Sequence, residues 1–134
     1  MHTSGPSVLI VDDDAPIREL LRAALSTRDF MVDAAGDGDE ALLRLRETCY
    51  DAVVLDLMIQ GTRRLDVLTA VIEQLPQARR VVLTSCDPPS MLHDPDAAVV
   101  RATLRKPFDL DQLLSEVVAC ATATAFDRPL AAAF

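Results

Sequence analysis

The sequence predicts one α/β domain, a doubly wound five-stranded parallel sheet with helices on both faces. Its 134 residues correspond to a single domain at roughly 150 residues per domain. Five short apolar runs alternate with amphipathic helical patterns, and strict strand–helix alternation is typical of parallel sheets with right-handed crossovers. The runs are continuously apolar, as expected for strands buried on both faces. Since aromatic residues make up only 4% of the chain, aliphatic side chains must fill the core.

The first strand is predicted at residues 8–11, and three consecutive aspartates follow it. Asp14, the last of them, is expected to cap the next helix, because its side chain can accept a hydrogen bond from an N–H of the first turn. Pro16 is compatible with that turn, which does not need an N–H at this point. The apolar face of this helix consists of Ile17, Leu20, Leu21, Ala24 and Leu25.

The next two strands are predicted at residues 30–35 and 52–55. A Gly-Asp-Gly turn at residues 36–38 joins the first of them to a helix. The second is an unbroken Ala-Val-Val-Leu run that ends at Asp56, which favours a central position in the sheet. The buried face of the helix between the two strands consists of Ala41, Leu42 and Leu45.

A loop at residues 58–64 leads to the third helix, which Pro76 stops. The fourth strand is predicted at residues 81–83 and the fifth at residues 102–105. Between them, residues 88–101 contain three prolines, which remove backbone donors and disfavour a long helix. The inner face of the third helix consists of Leu65, Leu68, Ile72 and Leu75.

The last helix has the clearest pattern. Asp109, with Gln112 three residues later, resembles a capping box. We expect the domain to span residues 7–121 and residues 122–134 to form a partly disordered C-terminal tail, because the tail offers no second apolar face. The apolar face of the helix consists of Leu110, Leu113, Leu114, Val117 and Val118.

The composition argues against several classes of function. The net charge of −8 disfavours nucleic-acid binding through a basic surface, which needs clustered Lys and Arg. The three cysteines form no CxxC pair, so neither a disulfide framework nor a zinc site is expected. The N-terminus lacks a signal-peptide pattern, and no apolar run reaches the roughly 18 residues of a membrane span. We therefore expect a cytoplasmic protein that contacts neither nucleic acid nor membrane directly.

Polar residues follow four of the predicted strands, and the carboxyl ends of parallel strands meet at the edge where doubly wound folds bind ligands. These residues are Asp12, Asp13, Asp56, Thr84 and Lys106. Two carboxylates 4 Å apart repel each other by about 4 kcal/mol at an effective dielectric of 20, and Lys106 supplies only one compensating charge. A Mg²⁺ ion, which binds few carboxylates together with water and phosphate, would supply the rest.

A metal ion beside a carboxylate, a hydroxyl and an ammonium indicates phosphoryl chemistry. Asp56 is the candidate nucleophile, since carboxylates form aspartyl phosphates. The metal and Lys106 would neutralise charge on the oxygens of the transferring group, and Thr84 would donate a hydrogen bond to one of them.

At these residues the sequence resembles the receiver domain of two-component response regulators, the CheY-like family. The resemblance extends over residues 7–120 and implies a flavodoxin-like strand order, 2-1-3-4-5. It is carried by the segments 8–14, 53–58, 81–85 and 104–108.

The resemblance also implies roles for individual residues. Asp56 would accept a phosphoryl group from a histidine kinase or a phosphotransfer protein, with Thr84 and Lys106 contacting that group. Asp13 and Asp56 would bind Mg²⁺ directly, Asp12 through water, and Met58 through its backbone carbonyl. Output would pass through a downstream protein partner, a missing effector domain or a homodimer. Such a chain is not an enzyme, apart from catalysing its own phosphorylation and dephosphorylation.

Several positions depart from the family pattern. Gln60 and Arg64 stand where the family usually has Pro and Gly, and Arg64 would have to adopt a conformation that Gly reaches more cheaply. Thr103 replaces a Tyr or Phe that changes rotamer on activation, and residues 88–101 cover the fourth helix of the family's output face. These departures affect the surface that passes the signal on more than the residues that accept the phosphoryl group. Ser85, in contrast, keeps the small side chain that the family prefers.

Two residues beside the site suggest a slow loss of the phosphoryl group. Met58 and Cys86 occupy positions, two residues beyond Asp56 and Thr84, that tune the lifetime of the phosphoryl group in the family. We hypothesise that both hinder the attacking water; the alternative is that they only fill space in their loops.

Other functions remain open at this stage. The first is a phosphorylation-independent interaction module, a pseudo-receiver, which the departures favour and the intact acidic cluster opposes. The second is a phosphohydrolase with an aspartyl intermediate, which would usually need a carboxylate where Met58 stands. A nucleotide-binding domain is weaker still, because Gly36-Asp37-Gly38 is not a GxGxxG fingerprint.

Overall fold

The computed structural model describes residues 5–59, 64–74, 79–86 and 99–127. Within these ranges the chain forms five strands and four helices that alternate for most of its length. In chain order they are β1 (Ser7–Val11), α1 (Ala15–Ser26), β2 (Met31–Ala35), α2 (Gly38–Glu47), β3 (Ala52–Asp56), α3 (Arg64–Gln74), β4 (Val81–Ser85), β5 (Val100–Arg105) and α4 (Leu110–Asp127).

The five strands form one parallel sheet in the order β2-β1-β3-β4-β5. This is the predicted flavodoxin-like order. Every residue of β3 and β4 is buried, which explains why their sequences are continuously apolar rather than alternating. The order reverses between β1 and β3, and ligands bind outside the carboxyl ends of strands at such a switch point.

Helices cover both faces of the sheet, as predicted. Successive side chains of a strand point to opposite faces, so Leu9 and Ile10 of β1 belong to two different apolar clusters. Each fully buried aliphatic side chain contributes roughly 1.5–3 kcal/mol by leaving water. One cluster includes Leu21 and Leu25 of α1 with Leu113 and Val117 of α4, and the other includes Ala41 and Leu45 of α2 with Val67, Leu68 and Val71 of α3.

The strands extend further than their apolar runs predicted. Asp56 is the last residue of β3, and β4 continues through Thr84 to Ser85. Asp56 lies opposite Thr84 in the ladder, because backbone pairing continues wherever both chains stay extended, whatever side chains they carry. β5 likewise begins at Val100 instead of residue 102. Asp56 and Thr84 therefore lie on strand ends, whereas Asp12, Asp13 and Lys106 directly follow the ends of their strands.

The predicted inner faces of three helices were too broad. Leu20 of α1 is 50% exposed, Leu65 of α3 is 42% exposed, and Val118 of α4 is also exposed. Each lies at the margin of its apolar stripe, where the curved helix surface turns away from the sheet. The side chains of α3 that are buried in the core are Val67, Leu68 and Val71.

α4 continues past the predicted domain boundary at residue 121 and ends at Asp127. Thr124 is completely buried, and its hydroxyl donates a 2.9 Å hydrogen bond to the carbonyl of Asp51. The first part of the expected tail is therefore helix, and residues 128–134 lie outside the described residues. Among the described residues, no helix has the length and apolarity needed to cross a membrane.

The loop before α3 ends one residue earlier than predicted. The backbone of Arg64 is helical, as the first residue of α3, so the expectation that it needs a glycine-like conformation is wrong: the helix begins one residue earlier than predicted. Gln60, Leu75, Pro76 and residues 88–98 lie outside the described residues.

Candidate functional site

The site lies at the carboxyl edge of the sheet, where backbone hydrogen bonds continue beyond the strands. The N–H of Asp12 donates to the carbonyl of Ala35 at 3.1 Å, and the N–H of Leu57 donates to that of Thr84 at 2.9 Å. The N–H of Lys106 donates to the carbonyl of Ser85 at 2.8 Å. These bonds fix the backbone next to each polar side chain, so the site is built on rigid elements.

Three aspartates converge at this edge, as predicted. One carboxylate oxygen from each of Asp12, Asp13 and Asp56 lies within 4.8 Å of the others. Asp12 and Asp56 are each only 3% exposed, whereas Asp13 is exposed. The cluster is therefore open to solvent on the side of Asp13 and closed on the side of the sheet.

Lys106 bridges two of the three carboxylates. Its Nζ lies 2.9 Å from Oδ2 of Asp12 and 3.1 Å from Oδ2 of Asp56. Burial acts to lower the pKa of Lys106, but the hydrogen bonds to Asp12 and Asp56 and the attraction of their charges raise the pKa above its ordinary value of 10.5. The ammonium offsets one of three negative charges, which leaves a site of oxygen donors suited to a divalent cation.

Backbone amides hold the other oxygens of the two buried carboxylates. Oδ1 of Asp12 accepts a 2.9 Å hydrogen bond from the N–H of Asp14, and Oδ1 of Asp56 accepts one of the same length from Met58. Each carboxylate is thus held between an amide and the ammonium, and its orientation is fixed before any ligand binds. The second bond also places the backbone of Met58 next to Asp56, which fits its predicted use as a carbonyl donor.

The hydroxyl of Thr84 is buried but has no hydrogen-bond partner among the described residues. Thr84 is 1% exposed and lies directly opposite Asp56 on the neighbouring strand. A buried polar group without a partner costs about 1–3 kcal/mol, so its position beside Asp56 is suited to a ligand oxygen that would accept a hydrogen bond from it. The neighbouring Ser85 is buried as well.

The sequence analysis missed Arg18. This residue of α1 is partly buried, and its Nη1 donates a 2.7 Å hydrogen bond to the backbone carbonyl of Asp12. The available signal was a cation in the first turn of the helix that follows an acidic strand end, because a long side chain in that turn can reach back to the end of the strand. Thr103, in contrast, lies in β5 opposite Leu83 and away from the carboxyl end.

The sequence matches a known protein family over most of its length. The model of the response regulator receiver domain matches residues 8–118. The chain belongs to this family. As a receiver domain, it is a signalling module of two-component regulation, which agrees with the resemblance carried by its strand ends.

Curated relatives of this receiver domain are response regulators. The response regulator MprA of Mycobacterium sp. (strain KMS) is 36% identical over 121 residues, which are 90% of this chain and 53% of the relative. The transcriptional regulatory protein ResD of Bacillus subtilis (strain 168) is 40% identical over 73 residues, which are 54% of this chain and 30% of the relative. The receiver domain thus spans about half the length of these relatives, or less.

Solved structures of receiver domains have the same fold. The response regulator TrrA of Thermotoga maritima, in complex with Mg(2+)-BeF, is 28% identical with a TM-score of 0.72, covering 87% of this chain and 99% of that one. The Francisella response regulator 1452 receiver domain is 25% identical with a TM-score of 0.75, covering 90% and 99%. A signal receiver domain from Pseudomonas fluorescens Pf-5, 23% identical with a TM-score of 0.80 over 96% and 95% of the two chains, shows the fold alone.

Proposed function

We propose that this chain is a cytoplasmic phosphoacceptor domain that receives a phosphoryl group on Asp56 in a Mg²⁺-dependent reaction. The donor is the phosphohistidine of a histidine kinase or of a phosphotransfer protein. A carboxylate oxygen of Asp56 forms a bond to phosphorus, the bond from phosphorus to the imidazole nitrogen breaks, and its electron pair stays on the imidazole. The observation that carries the proposal is the buried Thr84 hydroxyl. It lies opposite Asp56 and has no hydrogen-bond acceptor among the described residues.

The donor set fits Mg²⁺. Asp12, Asp13 and Asp56 bring hard oxygen ligands within 4.8 Å of one another, and the backbone carbonyl of Met58 is the fourth donor that we assign. When bound, Mg²⁺ would neutralise charge on the phosphoryl oxygens. The TrrA structure, with Mg(2+)-BeF bound to a receiver domain of the same fold, supports this assignment.

The side chains around Asp56 have distinct roles in this proposal. Lys106 stays protonated, holds the carboxylate in place before transfer and pairs with a phosphoryl oxygen after it. Thr84 donates a hydrogen bond from its hydroxyl to a second phosphoryl oxygen. Met58 offers no general base two residues after Asp56, which supports a phosphoacceptor and not a phosphohydrolase.

Intact mass spectrometry after incubation with acetyl phosphate and Mg²⁺ tests this proposal. The wild-type chain should gain one phosphoryl adduct, and Asp56→Asn should gain none. Asp33→Asn is the matched control, because Asp33 is also a strand carboxylate with a hydrogen-bond donor, the Tyr50 hydroxyl at 2.6 Å, but lies away from the site. The proposal fails if the wild type stays unmodified with both acetyl phosphate and a phosphorylated kinase, or if Asp56→Asn is modified equally.

A second candidate function is a phosphorylation-independent interaction module of the same fold. Thr103 favours it, because a threonine in β5 lacks the aromatic ring that would change rotamer. For either function, we propose that output passes through a downstream protein partner, an effector domain or a second copy of the chain, without direct nucleic-acid contact by this domain. Size-exclusion chromatography with and without beryllofluoride and Mg²⁺ tests the output through a second copy. A phosphorylation-dependent dimer forms only with the phosphoryl mimic, whereas a phosphorylation-independent module keeps the same assembly in both.

A further inference from the structure

We infer that Arg18 is a positioning residue for the metal-binding turn that follows β1; this inference rests on the proposed Mg²⁺-dependent function. The turn carries both Asp12 and Asp13, so the direction of its backbone decides where two of the three carboxylates point. Arg18 reaches this backbone from the first turn of α1, through the 2.7 Å hydrogen bond from Nη1 to the carbonyl of Asp12.

The hydrogen bonds of Asp12 show what Arg18 adds. The N–H of Asp12 is bound to the carbonyl of Ala35 at 3.1 Å, and its carboxylate is held by Lys106 and by the N–H of Asp14. Arg18 holds the carbonyl, and it therefore fixes the peptide plane that joins Asp12 to Asp13. A hydrogen bond from a charged donor is stronger than one between neutral groups, which suits a bond that must keep the exposed Asp13 aligned.

The guanidinium of Arg18 also lies against the turn between β2 and α2. A Cβ atom built on Gly36 would lie 3.3 Å from Nη1 and 3.6 Å from Cζ of Arg18, so the arginine packs directly over this glycine. Gly36 is fixed in turn, because its N–H donates to Oε1 of Glu40 at 2.8 Å. The absence of a side chain at residue 36 leaves room for the guanidinium, which therefore packs against one turn while it donates to the backbone of the other.

The loss of Arg18 would change the Mg²⁺ affinity in opposite directions, depending on whether Arg18 acts through its charge or by positioning the turn. A cation close to the cluster repels Mg²⁺, so removing the charge alone would tighten Mg²⁺ binding, and added salt would weaken this effect. Removing a positioning contact would weaken Mg²⁺ binding, because the ligands must then be ordered when the ion binds. Partners that orient metal ligands typically contribute 10–100-fold to affinity, and we expect about tenfold because Arg18 acts on the backbone and not on a ligand atom.

The test compares Mg²⁺ affinity, measured by isothermal titration calorimetry, in the wild type, Arg18→Ala and Arg18→Lys. Arg22→Ala is the matched control: Arg22 also lies on α1 and also donates to a backbone carbonyl, that of Val32 at 3.1 Å, but away from the cluster. Arg18→Ala should bind Mg²⁺ about tenfold more weakly, Arg18→Lys should recover part of the loss, and Arg22→Ala should bind like the wild type.

Phosphorylation kinetics provide a second readout. For Arg18→Ala, the Mg²⁺ concentration that gives half the maximal rate from acetyl phosphate should rise, while the rate at saturating Mg²⁺ stays close to wild type. Gly36→Ala keeps the arginine but crowds it, and it should weaken Mg²⁺ binding in the same direction even if Arg18→Ala proves poorly folded in circular dichroism.

Several outcomes would overturn the inference. Unchanged or tighter Mg²⁺ binding by Arg18→Ala and Gly36→Ala would refute the positioning role, and so would an equal loss in Arg22→Ala. A wild-type chain that binds no Mg²⁺ would instead refute the proposed function itself, so the two failures can be told apart.

Discussion

Replacing Thr84 by Val should stabilise the protein while impairing its chemistry. The Thr84 hydroxyl is buried without a hydrogen-bond partner among the described residues, and leaving such a group unpaired costs about 1–3 kcal/mol. Valine has nearly the same shape, suits a strand and brings no polar atom. We expect the free energy of unfolding without Mg²⁺ to rise by about 1 kcal/mol, which corresponds to about 4 °C in Tm for a chain of this size.

The same substitution removes a donor that we assign to a phosphoryl oxygen. Losing one preorganised donor to a developing negative charge typically slows a reaction by about 100-fold or more. The phosphorylation rate of Thr84→Val with acetyl phosphate should fall by about that factor. Stability and rate therefore move in opposite directions, which general damage to the fold could not produce.

Thr124→Val is the matched control for this experiment. Thr124 is as deeply buried as Thr84, but its hydroxyl donates to the carbonyl of Asp51 at 2.9 Å, so the same change should destabilise the protein by about 1 kcal/mol. Because the chain has no tryptophan, urea unfolding should be followed by circular dichroism in the presence of EDTA. If Thr84→Val lost as much stability as Thr124→Val, the hydroxyl would have a partner in the folded protein and the reasoning would be wrong.

Three further predictions concern other residues. Lys106→Met leaves the carboxylates of Asp12 and Asp56 without their ammonium, so the free energy of unfolding in EDTA should fall by about 3 kcal/mol. Phosphorylation should slow by about 100-fold; a urea curve and a phosphorylation rate like those of the wild type would contradict this. Burial raises the pKa of Cys120 from its ordinary value of 9.0 to about 12, so the folded state keeps a proton that the unfolded state loses. The Cys120 thiol should therefore leave the free energy of unfolding unchanged below roughly pH 9 and lower it above that pH. The decline should be shallower in Cys120→Ala. Parallel plots of unfolding free energy against pH for the two chains would contradict this. Finally, Met58→Asn should shorten the half-life of the aspartyl phosphate in a chase without phosphodonor, because an amide can orient water and a thioether cannot; equal half-lives would mean that Met58 only fills space.

The sheet and its edge were predictable because they depend on patterns that are local in sequence. Unbroken apolar runs identify strands buried on both faces, and the residue after each run identifies the carboxyl edge. The family resemblance supplied the strand order, which periodicity alone does not contain. The exposed Leu20 and Leu65 were not predictable, because a helical period shows an apolar stripe but not where the sheet surface ends.

Contacts between distant parts of the chain left little signal in the sequence. Arg80 appears as a charged residue before a strand, where solvent exposure is the ordinary expectation. In the structure it is completely buried and donates to the backbone carbonyls of Tyr50 and Val71 and to the side chain of Gln74. The bond from Arg18 to Asp12 spans only six residues, but it left little signal because its acceptor is a backbone carbonyl, and carbonyls occur at every residue.

The last helix connects the two opposite edges of the sheet. α4 begins just beyond Lys106 at the acidic edge, and near its other end Thr124 is bonded to Asp51, which precedes β3. Eighteen residues at 1.5 Å each form a rod about 27 Å long. The rod therefore spans the sheet from its acidic edge to its opposite edge. It ties the segment that follows Lys106 to the residue that precedes the strand carrying Asp56.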